Sequence, residues 1–198
     1  MPDRRLLLTR ATKLLALLGA GFVIYVFISA LLSDAGVDDP RKQRWEREID
    51  VSALQPGELL TLDDWPGGPV AVYRRNAHEL DGLTRVEAQL HDPQSQHSRQ
   101  PEDLRTPTRS HLSEYFVFIP VDTDRACQLR YIPPNKQPKP DIAWYGGFSE
   151  PCNGSLYDTA GRVYRESRSE RQQNLAVPAY IVIGKQRLQL TGINAKIR

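Results

Sequence analysis

The sequence has few of the residues from which common catalytic and metal-binding motifs are built. Its 198 residues include two cysteines, one methionine and four histidines. These residues do not form a zinc motif, and Cys127 and Cys152 lack the CxxC spacing of thiol–disulfide oxidoreductases. A phosphate-binding loop and a nucleophile elbow are also absent. No catalytic set emerges from the sequence, and we do not expect an enzyme.

The chain also lacks a strong charge bias. It has 26 basic and 24 acidic residues, a net charge of +2. Four of the basic residues precede the first apolar run, and the rest of the chain is close to neutral; they are Arg4, Arg5, Arg10 and Lys13. Since no basic patch with interleaved aromatic residues is present, nucleic acid is not an expected partner.

The first apolar run covers residues 14–32 and reads LLALLGAGFVIYVFISALL, without a charge. As a helix it would span about 28 Å, the thickness of the hydrocarbon core of a bilayer. A buried core helix or a cleaved signal peptide is the alternative, but core helices are seldom apolar on every face and signal peptides have shorter apolar segments. We therefore predict a retained transmembrane helix in contact with lipid.

Charges on the two sides of this helix predict its orientation. Basic residues lie within residues 1–13, whereas Asp34, Asp38 and Asp39 come first on the other side. The positive-inside rule places the N-terminus in the cytoplasm and the rest of the chain in the periplasm, with a single pass through the inner membrane. Arg4-Arg5 also resembles a twin-arginine export signal, and the sequence leaves this route open.

Residues 33–48 are highly charged and are predicted to form a solvated stalk, with Trp45 near the membrane interface. Residues 49–198 carry short β-type runs between turn signals, which predicts a mostly β, antiparallel sandwich. Residues 91–113 have no apolar periodicity and are predicted to be a long surface loop. The predicted strands are 58–62, 70–73, 115–120, 142–145, 162–164, 180–183 and 187–190.

Two segments with one cysteine each follow strand-like runs: residues 122–127 read DTDRAC and residues 150–158 read EPCNGSLYD. They resemble the cluster-binding boxes of the Rieske iron–sulfur subunits of ubiquinol–cytochrome c reductases. The family's boxes read C-T-H-L-G-C and C-P-C-H-G-S-x-Y-D. Further similar fragments follow in the same order along nearly the whole chain. The resemblance implies a Rieske-like β head behind one N-terminal anchor.

The departures from this pattern concern the cluster itself. In the family the first cysteine and the histidine of each box ligate the two irons. The corresponding positions here are occupied by residues without a thiolate or an imidazole: Asp122, Asp124, Glu150 and Asn153. The four histidines match no ligand position and are interpreted as surface residues; they are His78, His91, His97 and His111. We expect no [2Fe–2S] cluster and no other cofactor.

Other elements of the boxes are retained. The second cysteine of each box forms a disulfide in the family, which implies a Cys127–Cys152 bond; free thiols or a redox-active bridge are the alternatives. Four turn residues also match, Gly154, Ser155, Tyr157 and Asp158. The family's Gly-Pro-Ala-Pro loop has no match, because residues 166–173 read ESRSERQQ.

Two functions are compatible with this pattern. The first is a non-redox structural or accessory subunit of a respiratory membrane complex, of the bc1 or terminal oxidase type. The second is a calcium-binding or regulatory domain that uses the oxygen atoms of Asp122, Asp124 and Glu150. For the second, the ordinary alternative is a solvated loop tip. If the three carboxylates converge, their mutual repulsion must be relieved by a basic side chain, water, a cation or a partner.

Overall fold

The computed structural model describes residues 4–33, 45–166 and 171–192. It divides into two compact units, residues 1–43 and 44–198. The stalk residues 34–44, including Asp34, Asp38 and Asp39, lie outside the described residues.

The first unit contains one helix, α1 (Arg4–Ser33). Its segment Leu8–Ser29 has a mean hydropathy of 2.0 and is not buried against protein, so it is long and apolar enough to cross a membrane. The predicted apolar segment 14–32 lies within this helix. The helix begins before the apolar run and includes Arg10 and Lys13.

The second unit is mostly β, as predicted, and its described residues form three antiparallel sheets of three strands. The first sheet has the order β1-β9-β8, with β1 (Trp45–Asp50), β8 (Tyr180–Gly184) and β9 (Arg187–Gly192). The second has the order β2-β3-β4, with β2 (Leu59–Leu62), β3 (Val70–Arg74) and β4 (Tyr115–Phe118). The third has the order β5-β6-β7, with β5 (Arg130–Ile132), β6 (Gly147–Ser149) and β7 (Leu156–Asp158).

Helix α2 (Ala77–Arg85) follows β3 and was not predicted. It begins with a capping box, in which the Asn76 side chain accepts from the Glu79 amide and the Glu79 carboxylate accepts from the Asn76 amide. Short 3₁₀ helices cover Glu87–Gln89 and Glu102–Leu104.

The main core is apolar and contains buried side chains from all three sheets, among them Leu188 of β9, Val72 of β3 and Phe148 of β6. Strands β3 and β4 are buried on both faces, which explains their uninterrupted apolar sequences. A smaller core contains Leu90, Ile142, Trp144 and Tyr164.

Two predictions about the head are corrected and a third is refined. Residues 45–48 are not stalk but part of strand β1, which pairs with β9. Residues 142–145 form no strand, and 162–164 contribute only isolated bridges. Residues 91–113, predicted as a long surface loop, are irregular apart from the 3₁₀ helix Glu102–Leu104, but five of their side chains are buried: Ser95, Ser98, Leu104, Arg109 and Ser110.

Candidate functional site: the tip of the third sheet

Two loops at one end of the third sheet carry the candidate site residues. The first loop joins β4 to β5 and contains residues 122–127, and the second joins β6 to β7 and contains residues 150–155. The predicted disulfide is present, since Cys127 and Cys152 are bonded with their Cα atoms 6.4 Å apart. The disulfide joins the loops at what we call the tip, defined as residues 122–127 and 150–155.

Asp122 lies at the start of the first loop, and its carboxylate turns back onto that loop. Its Oδ2 atom accepts hydrogen bonds from the amides of Asp124 at 3.1 Å and Arg125 at 3.0 Å. Its Oδ1 atom accepts from the amide of Cys127. Asp122 is 3% exposed, so these amides replace the water that would otherwise solvate its charge.

Burial alone would raise the pKa of the Asp122 carboxyl. Hydrogen bonds from Arg125, Cys127, Gln172 and Asp124 oppose burial and together lower this pKa below its ordinary value of 3.8. Hydrogen bonds to the charged form of a carboxylate stabilise that form. Asp122 is therefore a carboxylate at neutral pH.

Glu150 takes the same role in the second loop and is fully buried. Its Oε2 atom accepts from the amide of Cys152 at 2.6 Å and that of Asn153 at 2.9 Å. Its Oε1 atom accepts from the amides of Asn153 at 2.8 Å and Ser155 at 3.1 Å. Gly154 adopts the left-handed conformation (φ 72°) that this tight turn requires.

A third segment contacts the first loop through Gln172, which the sequence did not single out. Gln172 is 2% exposed, and its Nε2 atom donates to Asp122 Oδ2 at 3.0 Å and to the hydroxyl of Tyr157. The neighbouring Gln173 is paired through its backbone with the Thr123 hydroxyl, at 2.8 and 3.1 Å. No signal in the segment ESRSERQQ distinguished Gln172 from its polar neighbours.

Tyr157 and Ser155 are retained from the family pattern, and both are buried. Burial raises the pKa of the Tyr157 hydroxyl, and the nearby Asp122 and Glu150 carboxylates raise it further. Among the described residues, three polar atoms of the tip region are buried without a hydrogen-bond partner: Asn153 Nδ2, Ser155 Oγ and Gln172 Oε1.

Asp158, the last retained residue, lies behind the tip at the base of the second loop. Its carboxylate accepts from the amides of Ala160 and Arg162, both at 2.9 Å, and pairs with the Arg162 guanidinium at 2.8 Å. Asp158 and Arg162 are both buried, so this ion pair is shielded from solvent. It fixes the turn 159–161.

Two further buried arginines hold the same turn through its carbonyl groups. Arg75 Nε donates to the Thr159 carbonyl at 2.9 Å, and Arg109 Nη1 donates to the Ala160 carbonyl at 2.9 Å. Burial lowers the pKa of Arg75 to about 10 and that of Arg109 to about 9. The sequence analysis missed both residues.

The four histidines are exposed, as expected for surface residues: His78, His91, His97 and His111. His111 lies beside Tyr180, with its Nε2 atom 3.2 Å from the Tyr180 carbonyl oxygen. No histidine from elsewhere in the chain therefore replaces an imidazole at the ligand positions.

The residues at the tip do not fit a [2Fe–2S] cluster. The ligand positions hold two carboxylates whose oxygens already accept backbone amides, together with Asp124 and Asn153. The cysteine sulfurs are bonded to each other. A sulfide-bridged iron pair requires thiolate or imidazole ligands, and these positions offer neither.

The calcium set is not brought together either. In the parts of the chain that the structure describes, the one group of three potential metal donors is Cys127, Glu150 and Cys152, not Asp122, Asp124 and Glu150. Two members of that group are the disulfide sulfurs. The three carboxylates were expected to repel one another only if they converged, and Asp122 and Glu150 instead each accept hydrogen bonds from the amides of their own loop.

Comparison with known proteins identifies close relatives, although no family model matches the chain. The ubiquinol–cytochrome c reductase iron–sulfur subunit of Allochromatium vinosum is 33% identical over 180 residues, 91% of this chain and 84% of the relative. The subunit of the same name from Bradyrhizobium diazoefficiens is 28% identical over 190 residues, 96% of this chain and 94% of the relative.

A mitochondrial relative and a solved structure add to this comparison. The Rieske-4 subunit of the cytochrome b-c1 complex of Nicotiana tabacum is 30% identical over 142 residues, 71% of this chain and 50% of the relative. A chain of a hyperthermophilic respiratory complex III is 18% identical, with a TM-score of 0.44 and coverage of 91% of this chain and 98% of that chain.

Proposed function

This chain belongs to the Rieske iron–sulfur subunit family of ubiquinol–cytochrome c reductases, and from that membership we propose that it is a cluster-free, non-redox accessory subunit. It joins a respiratory membrane complex of the bc1 or terminal oxidase type. Its role there is structural, and it is not an enzyme in its own right.

The observation that carries this proposal is the state of the four ligand positions. Asp122 and Glu150 stand where the family has thiolates, and both carboxylates are buried and bonded to the loop backbone. Asp124 and Asn153 stand where the family has imidazoles. Without soft donors at these positions the tip cannot hold the two irons, and electron transfer through a cluster is excluded from the proposed role.

Retention of the surrounding fold supports a docking role. The disulfide, the Asp158–Arg162 pair and an apolar core are all present in the head. The named relatives are subunits of ubiquinol–cytochrome c reductase and of the cytochrome b-c1 complex. From this shared family and scaffold we infer a related position in a membrane complex for this chain.

Helix α1 supplies the membrane anchor in this proposal. Its apolar side chains between residues 8 and 28 are exposed, and lipid would cover them. The basic N-terminus lies in the cytoplasm and the head in the periplasm, by the positive-inside rule. Protease added to spheroplasts is expected to digest the head and to spare an N-terminal tag.

Affinity purification from native membranes in mild detergent tests the accessory role. We expect subunits of one respiratory complex to co-purify in a constant ratio with the tagged chain. A tagged variant of an unrelated single-pass protein serves as the control for detergent-driven association. Recovery of the chain without any respiratory subunit, at a level that matches the control, would contradict the proposal.

A further inference from the structure

We propose that Asp122, Glu150 and Gln172 together take the structural place of the iron–sulfur cluster, so that the tip is folded without any metal. The inference rests on the proposed cluster-free function and adds to it how the two loops are held. It concerns the residues of this chain alone and requires no bound group.

The first step concerns backbone amides that point inward. Six of the residues 122–127 and 150–155 direct their N–H groups at a carboxylate: Asp124, Arg125, Cys127, Cys152, Asn153 and Ser155. Convergent amides of this kind form an anion-binding concavity and are costly to bury unpaired. The loops therefore need an anion at their centres, whatever its chemical nature.

The second step is that side chains supply these anions. Asp122 accepts the amides of the first loop and Glu150 those of the second, and both are at least nine-tenths buried. Hydrogen bonds to charged groups are stronger than neutral ones. In each loop the anion is therefore the side chain of the loop's own first residue, and the loop folds around it.

The third step links the tip to a third segment. Gln172 donates to Asp122 and to Tyr157, and both of these acceptors are buried. The backbone of Gln173 pairs with Thr123 beside it. A neutral amide in this position joins the first loop, strand β7 and the segment before β8 without a metal ion.

The combination also explains why a cation is not required. A buried carboxylate without partners would demand a counter-ion, but amide donors compensate for the lost water. Iron could bind only by displacing several of these amides, and it would meet oxygen donors instead of thiolates. The tip is closed to a cluster by its own hydrogen bonds.

Amide hydrogen exchange on the full-length protein in detergent, after treatment with a chelator, tests the inference. We expect the amides of Arg125, Cys127, Asn153 and Ser155 to exchange at least about tenfold more slowly than in an unstructured chain. Exchange at the unstructured rate, slowed by ferrous iron and sulfide added under reducing conditions, would overturn the inference.

Two variants make the test specific to the proposed side chains. Glu150→Gln leaves one carbonyl oxygen to serve three amides, so exchange at Cys152, Asn153 and Ser155 should accelerate about tenfold while β4 stays unchanged. Gln172→Ala removes no charge and should accelerate exchange at Arg125 and Cys127. The control, Glu166→Gln, changes an exposed glutamate. Unchanged tip exchange in both variants contradicts the inference.

Failure of this inference can be told apart from failure of the proposed function. If the protein shows no Rieske-type electron paramagnetic resonance signal but its tip amides are unprotected, only this inference is refuted: Asp122, Glu150 and Gln172 do not take the structural place of the cluster. A protein that shows the signal refutes the cluster-free function as well.

Discussion

The tip and the turn behind it, residues 159–161, use buried ions of opposite sign to hold backbone. At the tip, Asp122 and Glu150 accept from amide N–H groups. Behind it, Arg75 and Arg109 donate to carbonyl groups of the turn. In both regions the ion replaces water as the partner of backbone that regular structure leaves unpaired.

The difference between the two regions is where the sequence departs from its family. The turn keeps Asp158 of the family pattern, whereas the ligand positions of the tip hold other residues: Asp122, Asp124, Glu150 and Asn153. The contacts that hold the turn involve none of these four ligand positions. A loop built to surround an anionic centre can keep its shape when an attached carboxylate provides the charge.

The largest expected effect comes from the turn. Asp158→Asn removes the buried carboxylate that pairs with Arg162 at 2.8 Å, and the buried Arg162 keeps only the more distant and partly exposed Glu87 carboxylate, at 3.7 Å. We expect a loss of about 3–5 kcal/mol in the free energy of unfolding, measured by urea titration of the full chain in detergent. Asp141→Asn, at an exposed position, is the matched control and should change stability by less than about 0.5 kcal/mol. Equal stabilities of the two variants would show that the turn does not need its ion pair.

Removal of the disulfide should weaken the tip more than the turn. The Cys127→Ser, Cys152→Ser double variant opens a link across a sequence separation of 25 residues. The chain-entropy model gives a loss of about 3.5 kcal/mol. Urea titration measures it, and hydrogen exchange should increase at residues 122–127 before it increases at 159–161. An equal increase in hydrogen exchange at residues 122–127 and 159–161 would show that the tip and the turn are not stabilised independently.

Glu150→Gln should have an intermediate effect on stability. The variant keeps the shape of the side chain but loses the charge and one acceptor oxygen for the amides of Cys152 and Asn153. We expect a loss of about 1–3 kcal/mol in the free energy of unfolding, smaller than that of Asp158→Asn because no opposite buried charge is left behind. Thermal or urea unfolding checks it against Glu166→Gln, and a loss no larger than in that control would contradict the buried role of Glu150.

The smallest expected effect is a change in acid sensitivity from Asp122. Its pKa is lowered in the folded protein below the ordinary value of 3.8, so the folded state binds fewer protons than the unfolded state between the two pKa values. The stabilisation is complete above the unfolded pKa and is lost as the pH falls through the folded pKa. Asp122→Asn should therefore flatten the acid limb of a stability–pH curve, whereas Asp141→Asn should leave it steep. An unchanged acid limb in Asp122→Asn contradicts the lowered pKa.

Much of the fold could be predicted from apolar patterning. Strands β2, β3, β4, β8 and β9 all coincide with predicted β-type runs. Strand β1 was missed because it is an edge strand whose exposed residues are charged, with Ile49 as its buried side chain. Strands β5, β6 and β7 have three residues each, too few to show a period.

Two other errors had physical causes. Helix α2 was missed because its apolar content is modest. Its start is nevertheless marked in the sequence by a capping box, Asn76 and Glu79. Residues 142–145 are apolar because they fill the smaller core, where Trp144 donates to the Pro133 carbonyl, and not because they form a strand. Apolar residues in a short segment indicate burial but do not decide its conformation.

The sequence predicted which residues lie at the site but not the hydrogen bonds that they form. The resemblance located Asp122, Glu150 and the two cysteines, and all of them lie at the tip. Gln172, Arg75 and Arg109 were not predicted, because their partners are backbone groups or residues distant in sequence. Long-range pairing of a polar side chain leaves no periodic signal in the sequence.

The central claim, that a member of the Rieske family folds without its cluster, is tested most directly by electron paramagnetic resonance of the reduced, purified protein. The sample should come from native membranes, and iron and acid-labile sulfide should be quantified in the same preparation. The account predicts no Rieske-type signal and no stoichiometric iron or sulfide. A Rieske-type signal at one cluster per chain would contradict it.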